Sequence, residues 1–135
     1  MKNGLLIYNP RSGNHTMLPR LDEILGHAQK KGLLLLPVRL ESSLESKQLL
    51  RTLLVAPWLD LVIACGGDGT LSSVAELILE LRPDLPMGII PCGTCNDFAE
   101  NLRLPLDELD CIDVVAENYI LKMDVGQVNG ERIFL

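Results

Sequence analysis

Three short stretches hold the side chains best suited to chemistry: Asn9-Pro10-Arg11-Ser12-Gly13, Gly66-Gly67-Asp68-Gly69-Thr70 and Pro91-Cys92-Gly93-Thr94-Cys95-Asn96-Asp97. Glycines let backbone amides approach an anion closely, and a helix that starts at such a loop turns its positive dipole end toward the same point. Gly66–Thr70 therefore reads as a cradle for phosphate oxygens. It is not a Walker A loop, because no Gly-Lys-Ser/Thr follows, and it lacks the Gly-x-Gly-x-x-Gly of a dinucleotide fold. An aspartate in such a cradle is repelled by phosphate unless a cation lies between them, so Asp68 points to magnesium; the alternative is a helix cap. Thr70 and Ser72 carry the same two readings, donation to phosphate or capping. In the second loop Thr94, Asn96 and Asp97 can bond nucleotide or metal, or can close a turn that caps the next helix. Arg11 can donate to a phosphate, although Asn-Pro and Ser-Gly are also ordinary turn signals. Ser42 and Asp124 are weaker candidates, a helix cap and a solvated strand-end carboxylate being the plain alternatives.

Positioning these loops is the work of apolar runs that alternate with segments of helical period, the pattern of a parallel α/β sheet. Leu5–Tyr8, Leu33–Leu40, Asp60–Cys65 and Met87–Ile90 are predicted strands. The second tolerates Pro37 only at an edge or a bulge. Helices are expected from about Met17, with Leu18, Leu21, Leu25 and Ala28 on one face, to a stop near Gly32. A second is expected behind a Ser42-x-x-Glu45 capping box, and a third near Leu71, with Leu71, Val74, Ala75 and Ile78 inward. Leu106–Ala116 is expected to be helical and Tyr119–Val125 extended. Asn129-Gly130 is a hairpin signal that should turn the last residues back antiparallel. In an open parallel sheet the carboxyl ends of the strands line the ligand crevice, so the loops should form one composite site.

The 135 residues, 47% hydrophobic, predict a single domain spanning 1–135. Net charge of −6 and a pI near 4.8 exclude a basic nucleic-acid face and give no attraction to anionic membranes. No apolar run has the length of a membrane span or signal peptide, so a cytoplasmic protein is expected. Of the four cysteines, Cys65, Cys92, Cys95 and Cys111, only Cys92 and Cys95 have a recognised spacing. No second pair completes a zinc site. His15 and His27 serve no nucleophile and are expected at the surface.

The three loops, in this order and spacing, resemble the diacylglycerol kinase catalytic domain. Gly-Gly-Asp-Gly-Thr alone is shared with NAD kinases and, more loosely, phosphofructokinases. The string Pro91-x-Gly93-Thr94-x-Asn96-Asp97-Phe98-Ala99 is the mark of the lipid kinases. The resemblance implies a doubly wound, mostly parallel sheet of the NAD kinase/phosphofructokinase-like type, with a hairpin leading to a β-rich second domain not present in this chain. It implies transfer of phosphate from ATP to a lipid hydroxyl, with Mg2+ as cofactor. The nucleotide contacts it implies are Asn9, Pro10, Arg11, Ser12, Gly13, Ser42, Gly66, Gly67, Asp68, Gly69, Thr70, Leu71, Ser72, Gly93, Thr94 and Asn96. The metal network would involve Asp68, Asp97 and Asp124. The general base is expected in the second domain, so no catalytic residue is assigned here, and the complete enzyme is expected to sit peripherally at a membrane. Ser72 and Ser73 stand where bacterial relatives commonly carry Asn and Glu, and Glu100 where Arg or Lys is usual. An NAD kinase-like enzyme and a non-catalytic nucleotide-binding module are the alternatives. Homodimerisation through an exposed strand edge is also expected.

Overall fold

The computed structural model describes residues 1–11, 18–91, 103–105, 107–117, 126–128 and 132–134. Strand β1 (Lys2–Tyr8) lies between β2 (Leu33–Arg39) and β3 (Leu61–Gly66), and β4 (Met87–Pro91) follows β3. All three pairings are parallel. Pro37 is accommodated because β2 is an edge strand, where one side of the ladder needs no N–H.

Alternation along the strands divides the core into two. Leu5, Ile7, Val62 and Ala64 face the helices α2 (Leu44–Leu54) and α3 (Asp68–Leu81), packing with Leu50, Leu54, Leu71, Val74 and Ile78. Leu6, Tyr8, Ile63 and Cys65 face α1 (Leu21–Lys30) and α4 (Glu108–Ala116), packing with Ile24, Ala28, Cys111 and Ile112. A sheet covered on both faces explains why β3 is buried along its whole length, with no polar alternation. A short antiparallel hairpin, β5 (Gly126–Val128) with β6 (Arg132–Phe134), closes the described chain; its strands bear out the hairpin expectation.

Several boundaries differ from those expected. A 3-10 turn containing Pro19 occupies Leu18–Arg20, and the α-helix starts only at Leu21, with Ile24 and Ala28 as its buried positions. It stops at Lys30, just before Gly32 at φ 87°. Helix α2 is capped not by Ser42 but by Ser43, whose side chain accepts from the Ser46 amide at 3.2 Å. No capping box forms with Glu45; the Ser46 hydroxyl instead accepts from the Glu41 amide and donates to the Arg39 carbonyl. Helix α4 begins at Glu108, because Asp107 caps it through the amides of Leu109 and Asp110. The expected extended stretch at Tyr119–Val125 lies outside the described residues.

Candidate functional site

The connection leaving β1 crosses to β2 on one side, and the connection leaving β3 crosses to β4 on the other. Such a reversal opens a crevice between the two strands at their carboxyl ends. Register places the strand ends in one row: Tyr8 pairs with Arg39 and with Cys65, and Gly66 with Pro91. The Leu40 amide donates to the Tyr8 carbonyl at 2.8 Å, drawing the chain that leaves β2 alongside β1.

In the first loop the Asn9 side-chain oxygen accepts from the Arg11 amide at 2.8 Å. This Asx turn bends the chain as it leaves the sheet, while the Arg11 side chain stays exposed.

The second predicted cradle is built around α3. This helix starts at Asp68, three residues before the expected Leu71, so Asp68, Gly69 and Thr70 are its first turn rather than loop. Its cap, Gly67, is extended (φ −85°, ψ −173°) and has no side chain to bond the first amides; the first i→i−4 bond runs from the Leu71 amide to the Gly67 carbonyl. The dipole of 14 residues thus ends at the crevice, where an anion is favoured. Thr70 lies over Gly66: a Cβ added there would stand 2.6 Å from Thr70 Cβ and 2.8 Å from its hydroxyl. Only glycine lets β3 pass under the first turn. At Gly69 an added Cβ meets nothing within 4 Å. The two glycines differ in kind, one filled by the protein and the other facing open space.

Ser42 is exposed beside the start of α2, and Ser72 is half-buried. Leu71, in contrast, is buried in the core and can offer a ligand only its backbone. Asn9, Pro10, Arg11, Ser42 and Gly66–Ser72 therefore all lie at the carboxyl ends of adjacent strands. Ser12, Gly13, Gly93, Thr94, Asn96, Asp97 and Asp124, with Cys92, Cys95 and His15, lie outside the described residues. Asp68 is the described member of the expected metal network; among the described residues no group of three or more metal-ligating side chains occurs.

Sequence reasoning missed the polar seam between α1 and α4. Arg20 donates through Nη1 to Asp107 at 2.8 Å and to Glu108 at 2.7 Å, and through Nε to Glu23 at 3.3 Å. Glu108 is the buried charged residue of the described chain. The hydrogen bond from Arg20, with its charge, holds the Asp107 carboxyl below the ordinary carboxylate range. Further along, His27 donates to Asp113 at 2.7 Å, and Lys31 lies 3.6 Å from the same oxygen. His27, expected at the surface, is instead a half-buried partner, and its hydrogen bond is the main cause of a lowered Asp113 pKa.

Known proteins repeat this architecture. The family model described as the diacylglycerol kinase catalytic domain matches residues 3–128. A diacylglycerol kinase of Staphylococcus carnosus is 35% identical over 138 residues, covering 99% of this chain and 43% of the relative. One from Staphylococcus haemolyticus is 36% identical, covering 96% of this chain and 39% of the relative. The chain thus spans less than half the length of these relatives. The crystal structure of a diacylglycerol kinase from Bacillus anthracis str. Sterne superimposes with a TM-score of 0.76 at 26% identity, covering 96% of this chain and 45% of that one. A second crystal structure from the same organism gives 0.80 at 25% identity, covering 96% and 47%. The expected class, a doubly wound α/β fold of the NAD kinase-like type, is met.

Proposed function

The chain belongs to the diacylglycerol kinase catalytic domain family, and from that premise we propose that it is the nucleotide-binding part of an ATP-dependent lipid kinase. ATP supplies the γ-phosphoryl group, and a lipid hydroxyl, that of diacylglycerol or a related lipid, receives it. The observation that carries the reading is the start of α3: a glycine-capped helix end at the crevice between β1 and β3, with open space above Gly69.

In this reading the first-turn amides of α3 bind phosphate oxygens, which they can do without reorganisation because the helix already holds them. Thr70 and Gly66 lock that turn against the end of β3. Asp68, at the first position of the helix, fits a hydrated magnesium ion that neutralises phosphate charge. The Asx turn bends Asn9–Arg11 at the end of β1, on the other side of the crevice. No residue of this chain is assigned as the base that deprotonates the lipid or as the contact with the membrane.

A calorimetric titration of the chain with ATP and Mg2+, beside NAD and beside Asp68→Ala, tests the site. Saturable ATP binding that depends on Mg2+ and weakens in the variant is expected. Preference for NAD would favour an NAD kinase-like enzyme. A folded chain that binds neither nucleotide would sink the assignment.

A further inference from the structure

Ser46 stands in the first turn of α2 and, unlike the exposed residues on either side of it, is half-buried. Its hydroxyl is used twice: it donates to the Arg39 carbonyl at 3.1 Å and accepts from the Glu41 amide at 3.0 Å. A hydroxyl can give one hydrogen bond and take others, so one side chain holds the last residue of β2 and the second residue beyond it. Between those two, the Leu40 amide donates to the Tyr8 carbonyl of β1 at 2.8 Å. Just past them, the Ser43 side chain accepts from the Ser46 amide.

Ser42 is thereby enclosed. Arg39, Leu40 and Glu41 are tied before it and Ser43 after it, every tie but that of Leu40 being made by Ser46. The Ser42 side chain is exposed. Capping α2 needs only the bond to Ser43; the two bonds of the Ser46 hydroxyl reach upstream of the helix and hold the turn that carries Ser42. That turn lies at the carboxyl edge of the sheet, since Arg39 pairs with Tyr8, and Tyr8 with Cys65, the residue before Gly66. Strands β2 and β3 flank β1, so by ordinary strand spacing their ends stand about 10 Å apart, a gap that a nucleoside triphosphate can bridge.

We propose that Ser46 is a positioning residue for nucleotide binding: by tying Arg39 to Glu41, its hydroxyl holds the Ser42 side chain where it meets the nucleotide. The inference rests on the nucleotide reading above and on the contact that the family resemblance implies for Ser42. Ser46 acts through the backbone of residues 39–42, not by touching the ligand.

The test is a double-mutant cycle on this chain, with ATP affinity in the presence of Mg2+ measured by calorimetry and melting temperature measured beside it. Ser42→Ala removes the contact, Ser46→Ala removes the tie, and a third variant combines them. Each single variant is expected to weaken ATP binding about three- to ten-fold, the order of one hydrogen bond. The double variant should bind no more weakly than Ser42→Ala, because Ser46 has nothing left to position. Ser46→Thr keeps the hydroxyl and should bind as wild type does. Unchanged affinity in either single variant, or losses that add in the double variant, would overturn the positioning role and leave the nucleotide site standing. So would a Ser46→Thr variant that melts as wild type does yet binds as weakly as Ser46→Ala. No ATP binding by the wild-type chain would overturn both.

Discussion

Gly66 and Gly69, three residues apart, answer to different constraints. Gly66→Ala forces a methyl group into Thr70. The expected cost is about 1–3 kcal/mol of stability, as for other overpacked sites, read in urea denaturation, with loss of ATP binding. Gly69→Ala meets no neighbour. A glycine inside a helix is less favourable than alanine by about 0.8–1.0 kcal/mol, so this variant should be at least as stable as wild type in the same denaturation, yet bind ATP more weakly because the methyl group occupies the crevice. The motif made the cluster legible in the sequence, but not this division, since a letter G does not say whether the space beside it is filled by the protein or open. Ser42 and Ser43 show the same limit: either serine could cap α2 by type, and the hydrogen bond to the Ser46 amide selects the second.

Elements were legible wherever burial imposed a period. The inward residues expected of α3, Leu71, Val74, Ala75 and Ile78, are the buried ones observed. Its start was placed late because the first turn, Asp68–Thr70, is polar and faces the crevice, leaving no apolar mark. The central strand was read from its unbroken apolar run, and truncating Ile63, fully buried on β3, should cost about 2–5 kcal/mol in equilibrium unfolding. The α1–α4 seam could not be read, because its partners lie 82 to 88 residues apart and are charged residues of the kind usually left to solvent. It makes its own prediction. The folded pKa values of Asp107 and Asp113 are lowered, Asp107 chiefly by Arg20 and Asp113 chiefly by His27. The stability they contribute is therefore fully present above the unfolded carboxylate value of about 3.9 and lost as pH falls through the folded values. Denaturation midpoints of wild type and Asp113→Asn should differ near pH 5 and converge as the pH drops below about 3.9. A gap that persists at low pH would show that the pair contributes no such linkage.

At the scale of the whole molecule, both faces of the sheet are covered by helices while its β2 edge carries an apolar groove. Leu34, Leu36 and Trp58 line it, together with Asn3 and Gly4. Leu34 and Leu36 are 46% and 45% exposed. Replacing both with threonine should change stability by no more than about 0.5 kcal/mol per site, as at other surface positions, and urea midpoints check this. The order of strands also gives the molecule a mechanical direction. β1 is laced in parallel register to β2 along Lys2–Tyr8 and to β3 along Gly4–Tyr8, so a pull along this strand must shear two ladders at once. Strand β4, at the far edge of the sheet, has a single strand neighbour among the described residues, β3. Force applied along β1 should therefore be resisted longer than force applied along β4, so the direction in which this sheet is loaded sets how long it survives.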